Sequence, residues 1–563
     1  MLRVANCSGF YGDRLSAARE QVEGGPIDVL TGDWLAELTM LILAGNRLKG
    51  RPGYAATFVK QLSEVLATCL DRGIKIVSNA GGLDPAACAR AIRELGLPAK
   101  VATVTGDDLM PRLPELGPLV NLDTGETLTA EPVTANAYLG GFPIAAALSA
   151  GADVVVTGRV TDAALVTGPA IWRYGWRPGD LDRLAGSVVA GHIIECGCQA
   201  TGGNYAFFDE IPDLAHCGFP IAEIHDDGSC VITKHPGTGG AVTVGTVTAQ
   251  LLYEIGGPGY LGPDVTARFD TIRLMQDGPD RVSVSGVRGE APPPTLKAAV
   301  NVLGGYRNTM TLLVTGLDVA EKARLAEEAV WARVPKESFE RTYTELTGNL
   351  LRITVMDPDR RKAGRLFSSA VVETGLASYP GFYGLTPPGD ASPYGVYWPV
   401  AVPRELVHVE VTLDGAEVPF GDDAPGNAPG VPPAPLAEPL SEAGPWFSAP
   451  VPIPLPLEEE LRPLGLIAGA RSGDKGGNAN LGVWVRTPDH YAWLEGYLTA
   501  DRLPELLPEV AGLRVERFAF PNLLAVNFVV HGLLGRGVAA SPLMDAQAKA
   551  LGERLRAIPV PLP

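Results

Sequence analysis

The sequence predicts an α/β protein in two parts: a layered N-terminal α/β domain with a β-rich second portion, and a small C-terminal α+β domain of ferredoxin-like type. Three observations predict it. Short apolar runs alternate with helix-length segments early in the chain, a stretch dense in Pro and Ala interrupts it at 421–460, and the remainder, 461–563, reads β-β-α-β-β-α. At 563 residues the chain is also too long for a single hydrophobic core.

Residues 27–30, 74–78, 100–105 and 152–157 are continuous apolar runs of strand length, and helices are predicted at 34–44, 55–72 and 85–95. Strands apolar on both faces that alternate with helices favour a parallel sheet covered by helices. Ligands bind such sheets beyond the carboxyl ends of the strands, so the turns after these runs are the first places to look. Past about residue 205 the pattern changes to alternation, at 231–234, 241–247, 271–274, 281–287 and 309–315, with a helix predicted at 317–334 and strands at 350–355 and 406–413. This portion is expected to be antiparallel; whether a sub-boundary falls near 205 stays open. The Pro-rich stretch reads as an extended linker, dividing the chain into domains 1–420 and 461–563. In the second, strands are predicted at 464–468, 479–486, 514–518 and 524–530 and helices at 491–507 and 541–556, which fits a small sheet with two helices on one face.

Composition narrows the function classes. A formal net charge of −18 argues against general nucleic-acid affinity, which needs clustered Lys and Arg, and any anionic substrate would need a local basic pocket. Seven scattered Cys do not suggest a secreted disulfide framework, and no charged segment followed by an apolar one opens the chain. The apolar stretch 35–48 is broken by Glu37, Gly45 and Asn46 and is too short to span a bilayer. We therefore expect a cytoplasmic protein without membrane or nucleic-acid partners. Exposed sheet edges lead us to expect a homo-oligomer.

Two clusters could carry chemistry. The densest, 469–480, holds Arg471, Ser472, Asp474, Lys475, Asn478 and Asn480 among glycines. Read as a loop between two strands, its amide N–H groups would form an anion-binding concavity, Arg471 and Lys475 would add positive charge, and Asp474 would act as acid or base. The same residues also suit a solvated hairpin turn, and Walker A spacing is absent. The second cluster, 191–205, holds His192, Glu195, Cys196, Cys198 and Asn204. Glu195 and Cys196 are candidate base and nucleophile; the spacing matches no usual zinc pattern, so no metal is assigned. Buried thiols in a packed turn explain it equally well.

Further candidates sit in short Gly-rich turns. Asn79, Gly81 and Gly82 precede Asp84 and Pro85, a good N-cap and first-turn pair that would place the glycines at a helix N-terminus suited to anions. Arg159 and Asp162 follow the run 152–157, as ligand contacts or as a structural ion pair. His235 is the best-placed histidine for acid–base work, although a lone His in a turn is commonly structural. His531 ends an apolar strand and could face Asp474, and Arg536 lies just beyond it.

Several blocks recur together: 7–14, 78–85, Ala135 to Tyr138, 151–162, 234–240, 250–256 followed by Pro263, Asp264 and Val265, then 470–480 and 531–537. In this order, over most of the chain, they resemble the acyclic terpene utilisation protein A (AtuA) family and its C-terminal ferredoxin-like module. The resemblance implies acyl-CoA or branched, isoprenoid carboxylic-acid catabolism, with a lyase or hydratase acting on a 3-hydroxyacyl or enoyl thioester. CoA would enter as part of a small-molecule acyl substrate, and no other cofactor is implied. The resemblance supplies no catalytic residues, so the candidates rest on the sequence itself: Asp474, Glu195 or His235 as base, with Lys475 and Cys196 beside them. Backbone amides would stabilise an enolate-like oxygen, and Arg471, Lys475 and Arg159 would hold a carboxylate or a CoA phosphate. The rival reading is a non-catalytic partner of an acyl-CoA carboxylase or other pathway enzyme; a third is a metal-dependent hydrolase using His192, Cys196 and Cys198.

Overall fold

The computed structural model describes residues 1–419 and 461–563, so the stretch 421–460 read as a linker lies outside the described residues. Short strands rich in Val and Ile form its centre: β1 (Leu2–Asn6), β2 (Val29–Gly32), β3 (Lys75–Ser78), β4 (Val101–Thr105) and, after β5 (Pro132–Ala137), β6 (Val154–Thr157). All but β5 pair in parallel, in the order β1-β2-β3-β6-β4. Successive side chains point to opposite faces. Val4, Val29, Val77 and Val155 pack against helices Phe142–Ser149, Ala164–Tyr174 and Leu181–Ile194. Ala5, Leu30, Ile76 and Val154 pack against helices Ala17–Gly24, Ala56–Arg72 and Pro85–Arg93. Burial on both faces is why these strands read as continuous apolar runs.

Local signals set the helix ends. Asp84 Oδ1 accepts the Ala87 N–H at 2.9 Å and Pro85 opens the helix behind it; Gly73, at φ 67°, closes Ala56–Arg72.

The sheet widens with antiparallel strands to eleven. Beyond β1 lie β7 (Pro220–Ile224), β8 (Cys230–Lys234), Val282–Ser285 and Arg273–Gln276; beyond β4 lie Glu410–Leu413 and Ala416–Glu417. A second, six-stranded sheet forms around the long strand Thr295–Leu313, which pairs with Leu350–Asp357, Ser392–Pro403 and β5.

In the C-terminal module, Ala468–Lys475, Asn478–Val485, Ala525–Val530 and Val515–Phe520 form, in that order, one antiparallel sheet. The predicted strand at 464–468 is corrected: Leu464–Leu466 is a 3-10 turn, and the strand starts at Ala468 and continues through residues expected to form a loop. The predicted helix 491–507 is two helices, Pro488–Tyr497 and Leu503–Leu506, and only Leu551–Ala557 of 541–556 is α-helical.

The two faces of this small sheet differ. Ala470, Leu481, Phe528 and Val530 pack under Leu494, Leu551 and Leu555 of the module's helices. The opposite face presents Arg471, Gly473 and Lys475 across from Gly482, Asn480 and Asn478, with Trp484 opposite Gly469. Trp484, 2% exposed, joins the core of the large sheet with Phe520, Leu523 and Ala525 and stacks on Tyr205 at 6.1 Å between centroids. Trp484→Ala is expected to cost about 3–5 kcal/mol in urea unfolding, the range for a large aromatic removed from a core; a loss near zero would mean that this face does not carry the module's docking.

Candidate active site

The loops after the parallel strands build one wall. After β2, Asp33 accepts the Asn79 side-chain N–H at 2.5 Å, and Asn79 Oδ1 accepts the Trp34 N–H at 2.7 Å. After β6, the buried Arg159 donates from Nη1 to the Leu35 carbonyl at 2.7 Å and to Asp162 at 3.1 Å, with its guanidinium 4.3 Å from the Tyr138 ring centre. Tyr138 Oη lies 3.4 Å from Glu37 Oε1, and the Lys297 ammonium stands 5.1 Å from the Tyr138 ring and 5.6 Å from that of Tyr397. Glu195 and Cys196 follow helix Leu181–Ile194, where the buried Asn6 amide donates to the carbonyls of Ile194 and Glu195.

The small sheet builds the other wall. The segment 250–256 lies between the two. Gln250 donates to the His192 carbonyl; the Glu254 N–H, on a residue at φ 57°, donates to Asn480 Oδ1 at 2.8 Å; the Asn527 amide donates to the Gly256 carbonyl at 2.8 Å. The Lys475 ammonium donates to the Glu254 carbonyl at 3.2 Å. Gly473 is glycine because the Tyr253 ring lies against the strand there: a Cβ would sit 2.4 Å from a ring carbon. Asp123 closes the hairpin turn by accepting the Gly477 N–H and the Asn478 side-chain N–H.

The cleft between the walls gathers acidic and basic groups at low dielectric. Burial, reinforced by the Glu37 carboxylate, pushes Asp474 up to about 7; burial, reinforced by the Lys297 ammonium, pulls Lys475 down to about 8. Glu254 is held well above the usual carboxylate range by burial and by Asp474, and Glu195 by burial and by Asp162. Burial also raises Asp33 well above that range, with Asp162 adding to it. Burial and Glu195 raise the Cys196 thiol, which therefore stays protonated at neutral pH. Glu37 is the exception: burial would raise it, but Lys297 and Arg159 outweigh burial and lower it.

Sequence-predicted residues divide three ways. Lys475, Glu195, Cys196, Arg159, Asp162, Arg471 and Asn204 come together at the cleft, and Asp474, one residue before Lys475 at the hairpin end, is linked to it electrostatically through Glu254 and Glu37. Others hold its walls: Asn79 fixes Asp33; Asn478 accepts the Gly532 N–H and binds Asp123; Asn480 binds Glu254 and Asn527; Ser472 accepts the Gly552 N–H. The rest lie elsewhere. His235 rests against Gly24 with Nε2 on the Gln21 carbonyl, His531 pairs with Glu516 at 3.0 Å in place of Asp474, and Arg536 is on an exposed turn.

Two anion-loop readings are corrected. The segment 469–480 is a hairpin, extended and paired on both sides of the turn at Gly476 and Gly477, so its amides do not converge on a concavity. Gly81 and Gly82 serve close packing, a Cβ meeting the Thr157 carbonyl at 2.5 Å and Leu43 at 2.4 Å respectively, and the helix N-terminus beside them is occupied by Asp84. The hydrolase triplet does not converge either: His192 is packed against Tyr260 and Phe269, while Cys198 turns its sulfur to the Cys217 carbonyl at 3.4 Å.

Sequence reading missed Asp33, Glu37, Lys297, Glu254, Tyr138 and Tyr397. Glu254 and Tyr138 stand in blocks already singled out, 250–256 and 135–138. Lys297 carried no signal, being one polar residue in an alternating strand.

Two family models match the chain. The acyclic terpene utilisation family protein AtuA covers residues 2–413, and the AtuA ferredoxin-like domain covers 462–561. The chain belongs to the AtuA family. No curated protein and no solved structure matches it. In this AtuA chain the two matched regions supply opposite walls of the same cleft, and Lys475 and Asp474 come from the second of them. No helix among the described residues is long and apolar enough to cross a membrane.

The shifted pair has a stability consequence. Asp474 is raised, so its contribution to stability is lost as pH rises from the unfolded carboxylate value toward about 7; Lys475 is lowered, so its contribution is lost as pH falls from the unfolded amine value toward about 8. Both penalties overlap between about 7 and 8. Asp474→Asn should therefore raise the melting temperature at pH 7.5 and leave it nearly unchanged near pH 4, in scanning calorimetry; an equal change at both values would show that Asp474 titrates like an exposed carboxyl.

Proposed function

We propose that the chain is an acid–base enzyme of acyl-thioester catabolism in the use of acyclic terpenes or related branched acids, of lyase or hydratase type, acting on a 3-hydroxyacyl or enoyl thioester. The observation that carries the reading is Asp474 with Lys475, consecutive residues at the hairpin end that both sense Glu37 and Lys297 and whose proton affinities are drawn from opposite sides toward neutrality. The family description supplies the substrate area; the pair supplies the reaction class.

In this reading the Asp474 carboxylate takes the proton from the carbon next to the thioester carbonyl. The Lys475 ammonium, with Lys297 behind it, stabilises the negative charge that develops on the carbonyl oxygen. In the dehydration direction the enolate electron pair then expels the β-hydroxyl, which leaves as water with the proton held by Asp474; in the hydration direction the Asp474 carboxylate takes a proton from water as its oxygen adds to the β-carbon and delivers that proton to the α-carbon. Glu37, lowered by Lys297 and Arg159, stays ionised and balances the cations around the oxygen site. Cys196, held as a thiol, is left out of the proton transfer.

Turnover of a panel of branched enoyl-CoA and 3-hydroxyacyl-CoA thioesters tests this. Asp474→Asn and Lys475→Met should each lower kcat by about 10²–10⁴-fold, the usual worth of a positioned acid or base. The kcat/KM profile should rise near pH 7 and fall near pH 8, and the alkaline limb should disappear in Lys475→Met. Undiminished turnover in both variants would remove the pair from the chemistry.

A further inference from the structure

Arg471 lies on the cleft face of the small sheet and is 9% exposed. Its Nη1 reaches the Asn204 carbonyl at 3.5 Å, while Nε and Nη2 are buried with no hydrogen-bond partner among the described residues. Those two nitrogens form one edge of the guanidinium, the edge whose parallel N–H bonds match the two oxygens of a carboxylate. A buried cation whose donors are unpaired is strongly unfavourable, so the arrangement is complete only with an anion on that edge. Among the described residues no carboxylate forms an ion pair with Arg471, although Glu254 influences it electrostatically.

The guanidinium packs 4.6 Å from the Tyr253 ring centre, and the exposed Lys549 ammonium lies 4.3 Å from that same centre and contacts Tyr253 Oη. Both cations face the Tyr253 ring, and the next residue, Glu254, accepts the Lys475 ammonium on its carbonyl at 3.2 Å, so this pocket adjoins Lys475.

We propose that the free edge of Arg471, with Lys549 as a second, solvent-facing charge, is a subsite for a carboxylate group of the substrate or product, bound side-on. This rests on the reading of the cleft as the substrate site. It deepens that reading by naming what the far end of the cleft recognises: an acyl chain carrying a free carboxylate, or the free acid released from a thioester. A single planar fork with one buried charge suits a carboxylate; a phosphate presents the same pair of oxygens, and the test separates the two.

Thermal-shift titrations with sodium 3-methylbutanoate, 3-methylbutan-1-ol and inorganic phosphate, at matched ionic strength, provide the test. Wild type should be stabilised by the carboxylate and not by the alcohol. Arg471→Lys, which keeps the charge and loses the fork, should weaken the carboxylate at least tenfold, and Arg471→Met should abolish the response. Should the Arg471 variants not fold, butanedione modification of wild type read by peptide mass spectrometry serves instead, with the carboxylate expected to protect Arg471 selectively. A carboxylate response equal in Arg471→Met and wild type, a response to phosphate alone, or absence of both stabilisation and protection overturns the assignment. Asp474→Asn should still bind the carboxylate, so failure of the acid–base reading and failure of this subsite are distinguishable.

Discussion

The arrangement depends on hydrogen bonds that seat residues 250–256 on the polar face of the small sheet. Asn480 and Asn527 take hold of the backbone at Glu254 and Gly256, while the Tyr253 ring packs against the strand at Gly473. On the other side, Gln250 ties the same segment to the helix that delivers Glu195 and Cys196. One short segment therefore fixes the distance between the two walls, and buried polar contacts of this kind specify position because a slipped register would leave them unsatisfied.

From that constraint the electrostatics follow. The carboxyl edge of the parallel sheet contributes Asp33, Arg159 and Asp162, the second sheet contributes Lys297, and the module contributes Arg471, Asp474 and Lys475. No single one of these elements would shift Asp474 and Lys475 so far: burial comes from docking, and the reinforcing charges, Glu37 and Lys297, belong to the opposite wall. The unpaired edge of Arg471 follows from the same docking, which removes water from the guanidinium without bringing a carboxylate to it.

The parallel core was legible because strands buried on both faces leave uninterrupted apolar runs, as at Val154–Thr157, and because caps such as Asp84 with Pro85 are local signals. β1 was not read as a strand, because Arg3 and Asn6 leave it no continuous apolar run. The hairpin at Ala468–Val485 misled for a physical reason. Its Gly, Asp, Lys and Asn residues have low strand propensity, yet Gly469, Arg471, Gly473 and Lys475 share one face with Asn478 and Asn480, small or polar because that face receives Tyr253 and the backbone of Glu254 instead of the module's own helices. Partnerships between separate segments, such as His531 with Glu516 or the electrostatic coupling of Lys297 to Glu37, depend on tertiary placement and leave no trace in local spacing.

The central claim is that docking sets the proton affinity of Lys475, and competitive acetylation of the whole chain across a pH series, read by peptide mass spectrometry, measures it directly. The account predicts that Lys475 becomes reactive with a midpoint at about 8, well below the value near 10.4 typical of solvated lysines. A Lys475 midpoint coinciding with that of the surface lysines would contradict it.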